Sequence, residues 1–162
     1  MLTVRLQLEP VSVLLSGIAE GLEDLTSFWT DFVVPFVHAE ADDVFISEGD
    51  GEWDGLDPRY AARKAVSHPG KGILRREDAY YDAATRPNAP GSLVRVSPSV
   101  LVVGVESDAF PGRYPERHES GTATLSARPV YRLIVSDPRF DVRLGQLGEK
   151  WQSESISSLD RF

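Results

Sequence analysis

The stretch VSVLLSGIAEGLEDLTSFWTDFVVPFV, residues 11–37, decides the fold. Val11, Leu14, Leu15, Ile18, Leu22, Leu25, Phe28, Trp29, Phe32, Val33, Phe36 and Val37 recur every three or four residues, which lays apolar side chains along one face of a helix. The other face carries Ser16, Glu20, Glu23, Asp24, Ser27, Thr30 and Asp31. A long amphipathic helix is therefore expected. Pro35 cannot donate a hydrogen bond to the carbonyl of Asp31, which predicts a kink or break, with the pattern resuming through Val44, Phe45 and Ile46.

Upstream, Val4, Leu6 and Leu8 alternate with Arg5, Gln7 and Glu9, the period-two pattern of a strand over residues 3–9. Downstream, residues 48–57 form a glycine- and acid-rich loop, and Pro58 opens a short helix carrying Arg59, Tyr60, Arg63 and Lys64. His68-Pro69-Gly70 ends it, and a second short helix is expected over residues 73–84. Residues 93–96 and 100–105, joined by Ser97-Pro98-Ser99, read as a β-hairpin whose β-branched second arm should be buried. Residues 107–128 show little apolar periodicity and are too long for a routine connection, so an exposed, protruding arm is expected there. Residues 129–135 read as a further strand. Asp137-Pro138 then opens a helix with Phe140, Leu144, Leu147 and Trp151 on one face. The expected architecture is α+β: a long N-terminal helix packed on a small antiparallel sheet, with an extended protruding loop. It would be one domain over residues 1–151, followed by a serine-rich tail, 152–162, that is mobile or docks on a neighbouring subunit.

Composition narrows the function classes. With 162 residues and 41% hydrophobic content, the chain can bury one core. It has no cysteine, which removes disulfides, thiol nucleophiles, thiolate zinc sites and iron–sulfur clusters. A formal net charge of -8 repels a phosphate backbone on average, so sequence-specific nucleic-acid binding is not expected. No membrane span or signal peptide is expected either, because no continuous apolar run is long enough to cross a bilayer and the N-terminus lacks a basic flank before an apolar block.

Asp50-Gly51-Glu52-Trp53-Asp54-Gly55 imitates the opening of an EF-hand loop, but Ala61 stands where the bidentate carboxylate belongs and Pro58 interrupts the backbone. The plainer reading is a solvated acidic turn that presents Trp53 to the core. His38, His68 and His118 lie on separate elements without metal-ligand spacing. Neither a Gly-x-Ser-x-Gly elbow nor a lysine-bearing phosphate loop occurs. No catalytic residue, cofactor or metal site is therefore expected. Charge is segregated: Glu40, Asp42, Asp43, Glu48, Asp50, Glu52 and Asp54 precede Arg59, Arg63, Lys64, Lys71, Arg75 and Arg76. A solvated surface explains this, and so does a ring in which subunits meet head to tail.

Gly51-Glu52-Trp53, Leu56, Tyr60 and Lys64 resemble the Gly-x-Trp-x-x-Leu, Tyr, Lys signature of the phage virion morphogenesis or tail completion family. Collinear with it follow Ile73-Leu74, the hairpin strand Val103-Gly104-Val105, His118-Glu119-Ser120-Gly121-Thr122 and Ala127-Arg128-Pro129. The likeness runs from about residue 51 to 135 and departs from the family at Arg75-Arg76-Glu77-Asp78-Ala79-Tyr80-Tyr81, where a Thr-Gly, a Leu and a Ser are usual.

The resemblance implies a non-enzymatic structural subunit of the bacteriophage head-to-tail neck. It would form a homo-oligomeric, hexameric ring between portal-side connector proteins and tail terminator or tail tube proteins. DNA would pass through this ring in the virion. Trp53, Leu56 and Tyr60 would anchor the loop on the long helix by burying apolar surface, and Gly121 would make a tight turn. Arg128 would contact a carboxylate within or between subunits. Arg59, Arg63, Lys64, Arg113, Tyr114 and His118 would lie at subunit or partner contacts. The competing readings are a soluble phage-encoded protein that binds a host factor through the arm, and a metal-dependent enzyme built on the acidic loop.

Overall fold

The computed structural model describes residues 2–6 and 24–159, and of these the side chains from 24 to 155. The first part of the long-helix expectation, residues 11–23, lies outside the described residues. From Thr26 the chain is helical without interruption to Ile46 (α1, residues 26–46). Pro35 neither breaks α1 nor leaves it regular. The turn before it, Trp29–Val33, widens to a π-helix in which the Val34 N–H donates to the Trp29 carbonyl. This shift in the bonding ladder accommodates the missing proline donor, so where a kink or break was expected the helix widens locally.

Strand β1 (Leu2–Leu6) pairs antiparallel with β3 (Leu101–Val105), which also pairs antiparallel with β2 (Ser92–Val96), giving the order β1-β3-β2. The central strand is the buried one: Leu101, Val103 and Val105 have no exposed surface. Helix α3 (Ala79–Thr85) packs on both α1 and the sheet. Its Ala83 and Ala84 are fully buried, and His38 on α1 donates its Nδ1 proton to the Ala84 carbonyl over 2.8 Å. The start of α1 is tied to the hairpin turn by Leu25 N–H to Pro98 O, 2.9 Å. One core thus joins the long helix and the small antiparallel sheet in an α+β fold.

The last helix, α6 (Phe140–Leu159), lies on the π turn, with Trp151 against Phe28 and Phe140 against Phe36. Arg143 clamps it to Glu40 at 2.6 Å. Asp137 accepts from the Arg139 N–H at 2.8 Å at the start of α6, the role read from Asp137-Pro138. The helix does not stop at Gln152, and the serine-rich segment is helical through Leu159.

Three expectations are corrected. The second short helix starts at Ala79, not residue 73, because Leu74 and Asp78 take left-handed φ of 60° and 57° and turn the chain before it. The strand expected over residues 129–135 is instead a helix, α5 (Tyr131–Ser136). Its β-branched residues are overruled by Glu119, whose carboxylate accepts from the N–H groups of Val130 and Arg132 at 2.8 Å each. Finally, the arm expected over residues 107–128 does not protrude. It folds back through turns Ser107–Ala109 and Pro111–Arg113 into α4 (Tyr114–Ser120), burying Ser107, Phe110, Pro115 and Glu119. Its exposed residues are 108, 109, 111–113, 117, 120, 122–124 and 126, interleaved with the buried ones.

Candidate functional site, a cleft where three distant segments meet

Helix α2 (Pro58–Ser67) opens with Asp57, whose carboxylate accepts from the N–H groups of Arg59 and Tyr60, and with Pro58 in its first turn. Between α2, the turn before α3, and α4 lies a cleft of about 560 Å³. Leu56, Tyr60, Lys64, Tyr114, His118 and Arg128 all line it. These six expected residues are scattered between positions 56 and 128 and converge here.

The floor is interlocked through the backbone. Trp53 sits edge-on to Phe45 of α1 and donates its indole N–H to the Pro129 carbonyl at 3.0 Å. It also lies against Gly49, where an added Cβ would come within 2.4 Å of its ring, so the glycine at φ +76° leaves room for the tryptophan. Arg128 sends its guanidinium back to the carbonyls of Asp54 (2.9 Å) and Gly55 (3.3 Å). Its own N–H donates to the His118 carbonyl at 2.6 Å. Gly121, at φ +72°, lets the chain reverse between His118 and Arg128, and an added Cβ would come within 3.0 Å of the Ala127 nitrogen.

Several expected roles change with this geometry. Trp53 and Leu56 do pack against the core, but Tyr60 is 37% exposed and stands at the mouth of the cleft rather than in the core. Arg128 is buried and bonds backbone carbonyls, not a carboxylate, because the loop carbonyls at Asp54 and Gly55 turn toward it. Lys64, expected at a subunit contact, is the one buried residue of α2 and donates to the Gly72 carbonyl. Burial lowers its pKa, while Glu48 and Asp78 work to keep it charged. Burial, with Arg128 adding, also holds His118 down at about 4, so the imidazole is neutral near pH 7.

Tyr114 sits between Phe110 and His118. Arg113 lies outside the cleft and pairs with Asp108 at 2.8 Å and Glu116 at 2.7 Å. Arg59 and Arg63 point away from it on the exposed side of α2. In the departure segment, Asp78 is held below the usual carboxylate range: burial opposes this, and bonds from Lys71 and Arg75 outweigh it. Arg75 in turn lies over the Tyr81 ring at 3.9 Å.

The charged groups facing this cleft are thus largely committed to holding loops in place. Two carboxylates that hold backbone in place, one lining the cleft and one buried on α4, were not singled out from sequence. Asp57 carried a readable signal, a carboxylate directly before a first-turn proline. Glu119 carried none, since its partners lie beyond a turn whose geometry only folding defines. Among the described residues, no group of three or more acidic or histidine side chains is gathered as a metal ion would require. No described helix is long and apolar enough to cross a membrane. No family model, curated protein or solved structure matches the chain.

Proposed function

We propose that this chain is a structural subunit of the head-to-tail neck of a tailed bacteriophage, assembling in copies of itself as a ring through which DNA passes. The observation that carries the reading is the meeting of the resembling segments in space. The Trp53 segment, the His118–Glu119 segment and the Arg128-Pro129 segment bond to one another directly and share one cleft. A set of collinear motifs that folds into a single interlocked unit is what a common structural framework requires. Independent surface coincidences would have no reason to meet.

The chemistry of the cleft supports scaffolding over turnover. Arg128 and Lys64 donate to loop carbonyls, and Glu119 accepts from loop amides. Such bonds fix the shape of a contact surface. Under this reading the neighbours are portal-side connector proteins above and tail terminator or tail tube proteins below, and the protein resides in the virion.

The test is electron microscopy of the purified chain together with localisation in purified particles. Rings of the free protein, and its presence at the joint between head and tail, are expected. A protein that stays monomeric and is absent from purified particles overturns the reading. Deleting residues 108–126 is not an alternative test, because it removes Phe110 and Glu119 from the folded interior.

A further inference from the structure

Helix α2 is an unusual element of this fold because it contributes only Lys64 to the interior. Its outward stripe, Arg59, Ala62, Arg63 and Val66, follows the i, i+3, i+4, i+7 spacing of a single helix face. Val66 is 85% exposed, and neither arginine has an ion-pair partner among the described residues. On a chain of net charge -8, two unpaired guanidinium groups followed by a bare valine on the same helix face form a distinct local surface.

Elsewhere, a groove of about 770 Å³ runs between the C-terminal end of α1, the turn after it, and the junction of α5 with α6. Two of its carboxylates are neutralised within the chain, Glu40 by Arg143 at 2.6 Å and Asp137 by Arg139 at 2.7 Å. Asp43, Asp50 and Glu52 are exposed and form no ion pair among the described residues. Ile46, beside them in the groove, is 65% exposed. The groove is therefore acidic around a bare aliphatic side chain, the complement of the α2 stripe.

We infer that the α2 stripe of one copy seats in the acidic groove of the next, so that Arg59 and Arg63 meet Asp43, Asp50 and Glu52 while Val66 covers Ile46. The two surfaces share no residue. Contact between them is therefore head to tail, and such contacts close into a ring when the rotation between copies permits. A second copy is favoured over a separate partner because both complementary halves occur on one chain and do not satisfy each other within it. The helix is about 15 Å long, enough to span such a groove. Opposite charge sets register and speeds encounter, and the apolar pair at the end of the stripe adds burial.

This inference rests on the ring-forming neck reading, and the two can fail separately. The experiment is analytical ultracentrifugation of the full chain and of two charge-reversed variants, Arg59→Glu with Arg63→Glu, and Asp43→Lys with Glu52→Lys. All four positions are exposed, so thermal melts should move little and serve as the folding control. The wild type is expected to associate, with affinity falling at least ~10-fold between ~50 mM and ~500 mM salt. Each variant alone is expected to be monomeric, and an equimolar mixture of the two should associate again, since each reversed surface then finds its complement.

A wild type that is monomeric at ~100 µM overturns the contact, as does assembly indifferent to both reversals or a mixture that fails to reassociate. Rings that ignore the reversals would leave the neck reading standing without this interface. Charge-swappable oligomers of a protein absent from particles would leave the interface standing without the neck.

Discussion

Around Phe45 and around Arg128 the chain faces one task, holding irregular backbone against the long helix, and performs it by different means. Phe45 is 1% exposed and meets Trp53, Tyr80 and Tyr81 edge-on, with ring centroids 5.3–5.8 Å away. Formal charge enters only at the edge of the cluster, where Tyr81 donates to Asp42 and lies under the Arg75 guanidinium. Around Arg128, in contrast, loops are fixed by a guanidinium, an ammonium and a carboxylate, each bonded to backbone groups. The first region is an apolar core that tolerates small shifts, because dispersion and burial have no direction. The second is a directional network whose members lose their function when displaced by an ångström.

The comparison is broken most severely in the apolar half. Phe45→Ala removes a ring with three aromatic neighbours and should cost about 3–5 kcal/mol in urea unfolding. A loss below about 1.5 kcal/mol would show that the site collapses around the gap and that Phe45 is not the hub of this core. Tyr80 shares the cluster and cannot be expected to act independently, so the two truncations should not add.

In the polar half, Glu119→Ala leaves the Val130 N–H buried without its acceptor and takes the cap from α5. About 2–3 kcal/mol of destabilisation is expected. Glu119→Gln keeps one acceptor oxygen and should cost roughly half as much. Hydrogen exchange at Val130 and Arg132 reads the bonds directly: both amides should exchange faster in the alanine variant. If glutamine costs as much as alanine, the negative charge matters and not the count of acceptors. If neither variant moves the exchange, Glu119 is no cap.

The same contrast explains what could be read before folding. Apolar periodicity announced α1 and the buried face of α6, and β-branched apolar runs announced the hairpin, since both are properties of local sequence. Residues 107–128 looked empty by that criterion because their packing depends on a few isolated side chains, Phe110 and Pro115 among them, at no regular interval. Residues 129–135 misled because Val130, Ile134 and Val135 favour strands locally, while the deciding contact comes from Glu119 beyond the Gly121 turn. The cleft was half legible. Resembling motifs named Leu56, Tyr60, Lys64, Ile73, Leu74, His118 and Arg128 among its lining residues, yet spacing alone could not show that Tyr60 stands at its mouth and Lys64 faces inward.

Acid should separate the two regions, since the polar network holds a histidine whose protonation it resists. His118 ionises at about 4 in the folded chain because its ring is removed from solvent and lies near Arg128. In the unfolded chain an ordinary histidine ionises near pH ~6.5. Between those values the unfolded chain binds a proton that the folded chain refuses, so stability is complete above about pH 6.5 and declines as pH falls toward about 4. Since the ring is partly solvated, the loss from His118 is on the order of 1 kcal/mol. His38 acts in the same direction, with burial lowering its pKa and its bond to the Ala84 carbonyl partly offsetting this. Asp137, held at about 2 by Arg139, and Asp78 contribute stability above their ordinary carboxylate range that is lost only at lower pH, so the upper window belongs to the histidines. Urea midpoints at about pH 7.5, 5.5 and 4.5 should therefore fall in the wild type and fall less in His118→Gln. Because the Arg128 N–H donates to the His118 carbonyl, the Arg128 amide should also lose exchange protection on acidification before the amides around Phe45 do. A pH slope unchanged by His118→Gln would assign the whole effect to His38 and place the acid-sensitive contact on the long helix instead of in the cleft.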